Sequence, residues 1–193
     1  MTKLSQGQSA ASAVDDCAQA VNESWQARQA QHSGVSAQPA SDTRELRETA
    51  YGSPSYKTTL ALRQRVLREP LGLNLWHENL SVEVNQRHFS LWLPPDQLLA
   101  CVVIVPLATD CVKLRQMAVN PDYQRQGLGQ QLISAVEAIL VAEGIALIEL
   151  HARVSVLSFY QGCGYQSAGE QFTEVGIAHQ RMTKRLTAAT STR

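Results

Sequence analysis

The spacing of apolar residues predicts a mixed α/β domain that begins near residue 44. A nearly continuous apolar run at 98–106 is typical of a central strand, and the run at 88–93 is predicted to pair with it as a hairpin. Other short runs predict further strands at 44–50, 111–119, 146–151, 165–168 and 177–186. Apolar residues at helical spacing predict helices at 56–68, from about 128 to 144, and at 155–162.

The second predicted helix has one clear apolar face, and Gly144 is a natural C-terminal stop for it. The residues of this face recur at helical spacing: Leu128, Leu132, Val136, Ile139 and Leu140. Because strands precede and follow the helix, the three elements form a βαβ unit. Its two strands are expected to be parallel, with a right-handed crossover.

The alternation of apolar residues slips within the strand at 111–119. Val112 and Leu114 lie two residues apart and share one face of the strand. Met117 follows Leu114 by three residues rather than two, so Met117 and Val119 fall in a different phase. A β-bulge absorbs such a slip, and we predict one at 115–118. A bulge leaves backbone N–H and C=O groups available to a ligand, whereas the alternative, a simple strand end, has no such consequence.

The chain before residue 44 has a different composition. Residues 1–43 are rich in Ser, Ala, Gln and Asp, with a weak helical pattern at 10–31, and are predicted to be a flexible or weakly docked extension. The domain is predicted to span 44–187, followed by a tail at 188–193. Residues 69–87 are predicted to be a long irregular stretch of the kind that often binds ligands.

Bulk composition narrows the classes of partner. The formal net charge of this 193-residue chain is zero, which indicates neither a nucleic-acid surface nor a membrane surface. No apolar run approaches the roughly 20 residues of a membrane span, and the N-terminus lacks a secretory apolar stretch, so we expect a cytoplasmic protein. The four cysteines, Cys17, Cys101, Cys111 and Cys163, form no C-x-x-C pair, and no metal site is expected.

Two glycines open the second predicted helix directly after a turn at 120–123. Backbone N–H groups at a helix N-terminus, approached closely through Gly127 and Gly129, suit a phosphate or pyrophosphate. A P-loop would need Lys and then Ser or Thr where Gln130 and Gln131 stand. A dinucleotide fingerprint would need a third glycine at Leu132. Coenzyme A and simple turn punctuation remain as interpretations of the two glycines.

A longer motif surrounds these glycines. Residues 114–129, Leu-Arg-Gln-Met-Ala-Val-Asn-Pro-Asp-Tyr-Gln-Arg-Gln-Gly-Leu-Gly, resemble the acetyl-CoA motif of the GNAT superfamily, with Gln124, Gly127 and Gly129 matching Q/R-x-x-G-x-G/A. Residues 158–165 resemble the family's F-Y-x-x-x-G-F/Y segment. The resemblance implies an α+β fold with a central mixed, mostly antiparallel sheet, a βαβ acetyl-CoA unit and a splayed, bulged strand.

The end of the domain resembles one branch of the superfamily. Gly176-Ile177-Ala178-His179 with Met182 is similar to the G-I-P-H-x-x-M ending of ElaA-like and YjcF-like members, although Ala178 replaces the proline. A second departure lies before the F-Y pair, where many members carry Asn to contact the pantetheine arm. Here Ser155 offers the side chain for that contact.

The resemblance implies roles for individual residues in an N-acetyltransferase that uses acetyl-CoA as cosubstrate. Tyr160 would protonate the leaving thiolate, although a core aromatic residue is its alternative role. His179 and His151, ahead of Glu149, are candidates for the base that deprotonates the amine, whereas Cys163 as an acyl-carrying nucleophile has little support. Cofactor contacts would come from Met117, Ala118, Val119, Gln124, Arg125, Gln126, Gly127, Leu128, Gly129, Gln130 and Ser155.

The acceptor is not predicted beyond a small-molecule or protein amine, and a homodimer stays open. Specificity is expected in residues 69–87 and in the last hairpin. Two other functions remain as alternatives: a non-catalytic acyl-CoA-binding or sensing domain on the same fold, and a nucleotide-binding regulatory module.

Overall fold

A computed structural model describes residues 44–187, and within them seven strands form one sheet. The strand order is β1-β2-β3-β4-β5-β7-β6, and every neighbouring pair is antiparallel except β4 with β5. The mixed, mostly antiparallel sheet and its parallel βαβ pair are therefore confirmed. The strands are β1 (Glu45–Thr49), β2 (Arg87–Leu93), β3 (Gln97–Ala108), β4 (Cys111–Val119), β5 (Leu147–Arg153), β6 (Gln166–Glu174) and β7 (Ile177–Arg185).

Three α-helices join these strands: α1 (Pro54–Arg63), α2 (Leu128–Ala142) and α3 (Leu157–Gly162). The predicted start of α1 at residue 56 was wrong, because the turn signal before it is a helix cap. Ser53 accepts a hydrogen bond from the Tyr56 N–H at 3.1 Å, and Pro54 occupies the first helical position. The helix then runs into a π-helical turn at Gln64–Arg68. The predicted extension 1–43, its helix at 10–31 and the tail 188–193 lie outside the described residues.

The sheet has a core on each face. On one face α2 packs through its predicted apolar stripe, although Ile139 is only partly buried and Ile133 is buried instead. On the other face α1 packs against a smaller cluster of side chains. That cluster is formed by Leu62, Trp92, Leu98, Cys101 and Ala118. On this second face α1 packs against β3 and β4.

The predicted bulge in β4 is confirmed. Cys101 of β3 pairs with Ala118, but Val103 pairs with Arg115, so β4 advances three residues while β3 advances two. As a result, Leu114 and Met117 both pack against the α2-side core despite their odd spacing. The extra residue gives Gln116 a φ of +55°, which is uncommon for a residue with a side chain.

The parallel pairing between β4 and β5 is short. It joins Cys111–Leu114 with Leu147–Leu150 and ends there, although both strands continue, to Val119 and to Arg153. One edge of the bulged half of β4 is thus without a strand partner among residues 44–187. This is the splayed strand that the resemblance implied.

Two other sequence predictions need correction. Residues 69–87 contain three 3₁₀ turns, Glu69–Leu71, Leu75–His77 and Leu80–Asn85, rather than irregular chain. They are held by burial of Leu75 and by Glu83, which pairs with Arg63 inside the fold. Strand β6 was predicted at 165–168, but it is longer. Most of its side chains are exposed because it is the edge strand, so it carries no apolar alternation to mark its length.

Candidate active site

A cavity of about 530 Å³ opens where the β4–β5 pairing stops. Its wall combines the π-helical turn after α1, the bulged half of β4, the end of β5, α3 and the β6–β7 hairpin. Among the side chains that line it are Gln116, Met117, His151, Arg153, Tyr160 and His179. A strand edge without a partner, a bulge and several polar side chains therefore meet in one site, and concave sites with a few placed polar groups are typical of small-molecule binding.

Tyr160 joins the cavity to the core. Its ring packs edge-on against Phe159 and Tyr165, with centroids 5.0 and 5.8 Å away, and 9% of its surface is exposed. Its hydroxyl donates to the Met117 sulfur at 3.7 Å, so the phenol reaches the bulged strand. Burial raises the pKa of Tyr160 well above its ordinary value, and the nearby Cys163 thiol adds to this effect. The hydroxyl therefore keeps its proton throughout the neutral range.

Two histidines line the cavity and differ in their partners. The Nδ1 of His179 donates to the Ile177 carbonyl at 2.9 Å, which leaves its Nε2 as the proton acceptor of the neutral ring. Both nitrogens of His151 have neighbours: Glu174 lies 2.8 Å from Nδ1, and the Lys113 ammonium lies 3.3 Å from Nδ1 and 3.2 Å from Nε2. Of these two histidines, His179 is the one whose Nε2 has no hydrogen-bond partner among the described residues.

The glycine loop lies beside the cavity but does not line it. Arg125 and Gly127 have positive φ values of 63° and 73°, and α2 begins directly after Gly127. A Cβ added at Gly127 would meet nothing within 4 Å, so the space beside this turn is open. Successive N–H groups in such a turn form a concave binding site for anions at the start of α2.

At Gly129, glycine is required by the lack of space for a side chain rather than by its backbone conformation. A Cβ there would lie 2.9 Å from Met117 Cε and 3.0 Å from Phe159 Cζ. The first turn of α2 therefore packs tightly against the bulged strand and α3, and this contact joins the glycine loop to the cavity wall.

The structure brings some of the predicted site residues together and separates others. Tyr160, His151, His179 and Met117 share the cavity, whereas Gln124–Gln130 and the exposed Ser155 lie outside its lining. Glu149 is also outside the lining, and Arg181 holds its carboxylate with bonds of 3.0 and 2.6 Å.

Cys163 lacks the features of an activated nucleophile. Burial raises the pKa of its thiol, and the Glu137 carboxylate adds to this effect. The thiolate form of Cys163 is therefore disfavoured.

Sequence reasoning missed the charged residues of the cavity wall, among them Lys113, Arg153, Glu174 and Glu78. Arg153 could have been found, because it lies two residues after His151 on the same strand and so shares its face. The others come from separate elements that no local pattern connects.

Two general findings bear on the site. None of the helices in residues 44–187 is long and apolar enough to cross a bilayer. In the same part of the chain, no three His, Cys, Asp or Glu side chains are grouped so that they could hold a metal ion.

Comparison with known proteins identifies the fold and the family. Residues 76–186 match the model of the acetyltransferase (GNAT) domain. The uncharacterized protein YyaT of Bacillus subtilis (strain 168) is 35% identical over 74 residues, which cover 38% of this chain and 50% of YyaT. The chain thus spans about half the length of the curated relatives that it matches first.

Solved structures agree on the fold. Escherichia coli ElaA superposes with a TM-score of 0.62 at 22% identity, over 73% of this chain and 99% of ElaA. A GNAT family acetyltransferase from Elizabethkingia anophelis, solved with acetyl-CoA bound, has a TM-score of 0.58 at 16% identity, over 76% of this chain and 100% of that chain. Since the family match covers more than half of the sequence, this chain belongs to the GNAT acetyltransferase family.

Proposed function

We propose that this protein is an acetyl-CoA-dependent N-acetyltransferase whose amine acceptor binds in the cavity beside β4 and β5. The observation that carries the proposal is the meeting of three features at one point: the end of the β4–β5 pairing, the bulge at Gln116, and the Tyr160 hydroxyl that reaches Met117. Direct attack of an amine on a thioester needs positioning and polarisation of the carbonyl, and it needs no covalent enzyme intermediate.

The residues around the glycine loop fit coenzyme A. The open space beside Gly127, the turn formed with Arg125 and the free N–H groups at the start of α2 suit a pyrophosphate. We propose that the backbone of 124–130 binds this group and that the backbone of Met117, Ala118 and Val119 binds the pantetheine arm, with Ser155 as a further contact. When bound, acetyl-CoA supplies the acetyl group as an activated thioester.

Tyr160 is the proposed general acid. Its proton is retained at neutral pH because burial raises the pKa of the phenol, and its hydroxyl points toward the strand that would hold the thioester. Donation of this proton to the sulfur as the C–S bond breaks would let the product leave as a neutral thiol.

His179 is the proposed general base. An attacking amine must be neutral, so a base has to remove its proton. The Nδ1–H of His179 donates to the Ile177 carbonyl, which leaves Nε2 to accept the proton of the amine. His151 is the weaker candidate, since Glu174 and Lys113 already contact its two nitrogens.

A pair of glycine substitutions tests the cofactor assignment. Gly127→Ala and Gly144→Ala both place a methyl group at a positive φ, 73° and 82°, with nothing within 4 Å. The backbone strain is therefore matched, but Gly144 lies at the opposite end of α2 from the glycine loop. We expect calorimetric titration to show acetyl-CoA affinity reduced about tenfold or more by Gly127→Ala only, since one charge-assisted hydrogen bond contributes about that much.

Titrations with NAD and ATP and an assay of thiol release complete this test. Binding of NAD or ATP without acetyl-CoA would overturn the cofactor proposal in favour of a nucleotide-binding module. Tight acetyl-CoA binding without thiol release across a broad set of amines would instead indicate a non-catalytic acyl-CoA sensor.

A further inference from the structure

The wall of the cavity carries more positive than negative charge. Four cationic side chains and two carboxylates line it, in a chain whose formal net charge is zero. They are Arg68, Lys113, Arg115 and Arg153, with Glu78 and Glu174. Because a partly enclosed site focuses the field of its lining charges, this excess favours a ligand with negative charge.

Both carboxylates of the wall are already held by protein groups. Arg68 binds Glu78 through Nε and Nη2, at 2.5 and 3.0 Å. Although burial alone would raise the pKa of Glu174, the hydrogen bond from His151 lowers it, so this carboxylate stays ionised. Neither carboxylate is therefore arranged to attract a polycationic ligand.

Two of the cations contact groups other than carboxylates. Among residues 44–187, Lys113 and Arg153 form no direct ion pair with a carboxylate. The Lys113 ammonium contacts the ring of His151, and Nη2 of Arg153 donates to the Leu67 carbonyl at 3.1 Å. A guanidinium has five N–H donors, so most of those on Arg153 remain for a ligand.

The placement of these two cations is set by the sheet. Lys113 lies on β4 and reaches His151 on β5, and Arg153 follows His151 by two residues on the same face. Lys113, Arg153, His151 and His179 of β7 therefore line the same cavity.

We propose that Lys113 and Arg153 bind a carboxylate of the acceptor, so that the acceptor is a small amine that also carries a carboxylate: an amino acid or a close analogue. The inference rests on the proposed acetyl transfer and names its substrate class. When the carboxylate of the acceptor is bound by these two cations, its amine is left to reach His179. A cavity of about 530 Å³ accommodates a molecule of this size together with the acetyl end of the donor.

The test measures acceptor binding separately from turnover. Coenzyme A-saturated protein is titrated calorimetrically with a set of amino acids that spans the standard side chains, each beside its α-carboxamide, and with spermidine as a polycation. The same titrations are made on Lys113→Met and Arg153→Gln. The exposed Lys57 and Arg185, outside the cavity, supply the matched controls Lys57→Met and Arg185→Gln.

We expect at least one amino acid to bind about tenfold or more tightly than its carboxamide, and that preference to disappear in both cavity variants but not in the controls. The inference is overturned if no amino acid binds, if acids and carboxamides bind alike, or if the cavity variants keep the preference. Thiol release from acetyl-CoA is measured on the same ligands. A carboxylate preference in binding without thiol release would refute acetyl transfer and leave the carboxylate site standing.

Discussion

Replacement of Tyr160 by phenylalanine removes one hydroxyl and keeps the ring. The ring contacts with Phe159 and Tyr165 are retained, because they involve no hydroxyl. The hydroxyl itself donates to a thioether, a weak acceptor, at 3.7 Å. The lost bond should therefore lower the free energy of unfolding by less than about 1 kcal/mol.

The effect on turnover is expected to be larger. Positioned general acids contribute about 10²–10⁴-fold to rate, and a thiolate is a good leaving group, which places Tyr160 at the low end. We expect Tyr160→Phe to lower kcat about 100-fold, equivalent to about 2.7 kcal/mol of transition-state stabilisation. Acetyl-CoA affinity should stay nearly unchanged, because the proposed cofactor contacts come from backbone groups and Ser155, which the substitution leaves in place.

The assay measures thiol release with an amine that the wild-type protein acetylates. Urea unfolding and calorimetric titration of acetyl-CoA are measured on the same variants. Tyr165→Phe is the control, since Tyr165 is a neighbouring buried tyrosine, 2% exposed against 9% for Tyr160, that does not line the cavity. A kcat for Tyr160→Phe within about threefold of wild type would remove Tyr160 from the mechanism. Equal losses in both variants would assign the effect to packing.

Two further predictions concern stability. Arg63→Met should lower the free energy of unfolding by about 3–5 kcal/mol, because it leaves the Glu83 carboxylate buried without its cation. Although burial opposes ionisation of Glu83, Arg63 lowers the pKa of that carboxyl, so the wild-type pair stabilises the fold at neutral pH and is lost as pH falls below about 4. Gly129→Ala should destabilise by about 1–3 kcal/mol, because its methyl group would lie 2.9 Å from Met117 Cε and 3.0 Å from Phe159 Cζ, so that both side chains must shift.

Neighbouring residues supply the controls for both. Arg65→Met removes an exposed pair with Asp122 and should change stability by less than about 1 kcal/mol in urea unfolding. Gly162→Ala adds a methyl group to α3 with nothing within 4 Å, and should be neutral or slightly stabilising. An Arg63→Met effect no larger than that of Arg65→Met, or a Gly129→Ala protein as stable as Gly162→Ala, would contradict the respective argument.

The bulge shows how far sequence periodicity reaches. The three-residue step from Leu114 to Met117 predicted it, since both side chains had to reach one core. The positive φ of Gln116 was not predicted, because any of several backbone conformations can absorb one extra residue. Elements without an apolar stripe were also harder to delimit. Strand β6 is mostly exposed, so its side chains carry no burial signal from which its length could be read.

The candidate site also combines local features, which the sequence predicts, with long-range contacts, which it does not. The glycine loop is a local feature, in which the need for positive φ at Gly127 and for a missing Cβ at Gly129 selects glycine directly. The partners of the histidines are not local. His151 meets Lys113 and Glu174 from 38 and 23 residues away, and no pattern along the chain relates these three positions.

By itself, the sequence determined the βαβ unit, the slipped strand and the glycine-opened helix, because periodicity and backbone freedom act over a few neighbouring residues. It also carried the family motif from which Tyr160 and His179 were chosen. Only the tertiary structure decided which charges face the cavity and which histidine keeps a ring nitrogen for substrate. The cavity wall is assembled from separate elements once β4 and β5 part, and electrostatics in that wall depend on distances between residues that are far apart along the chain.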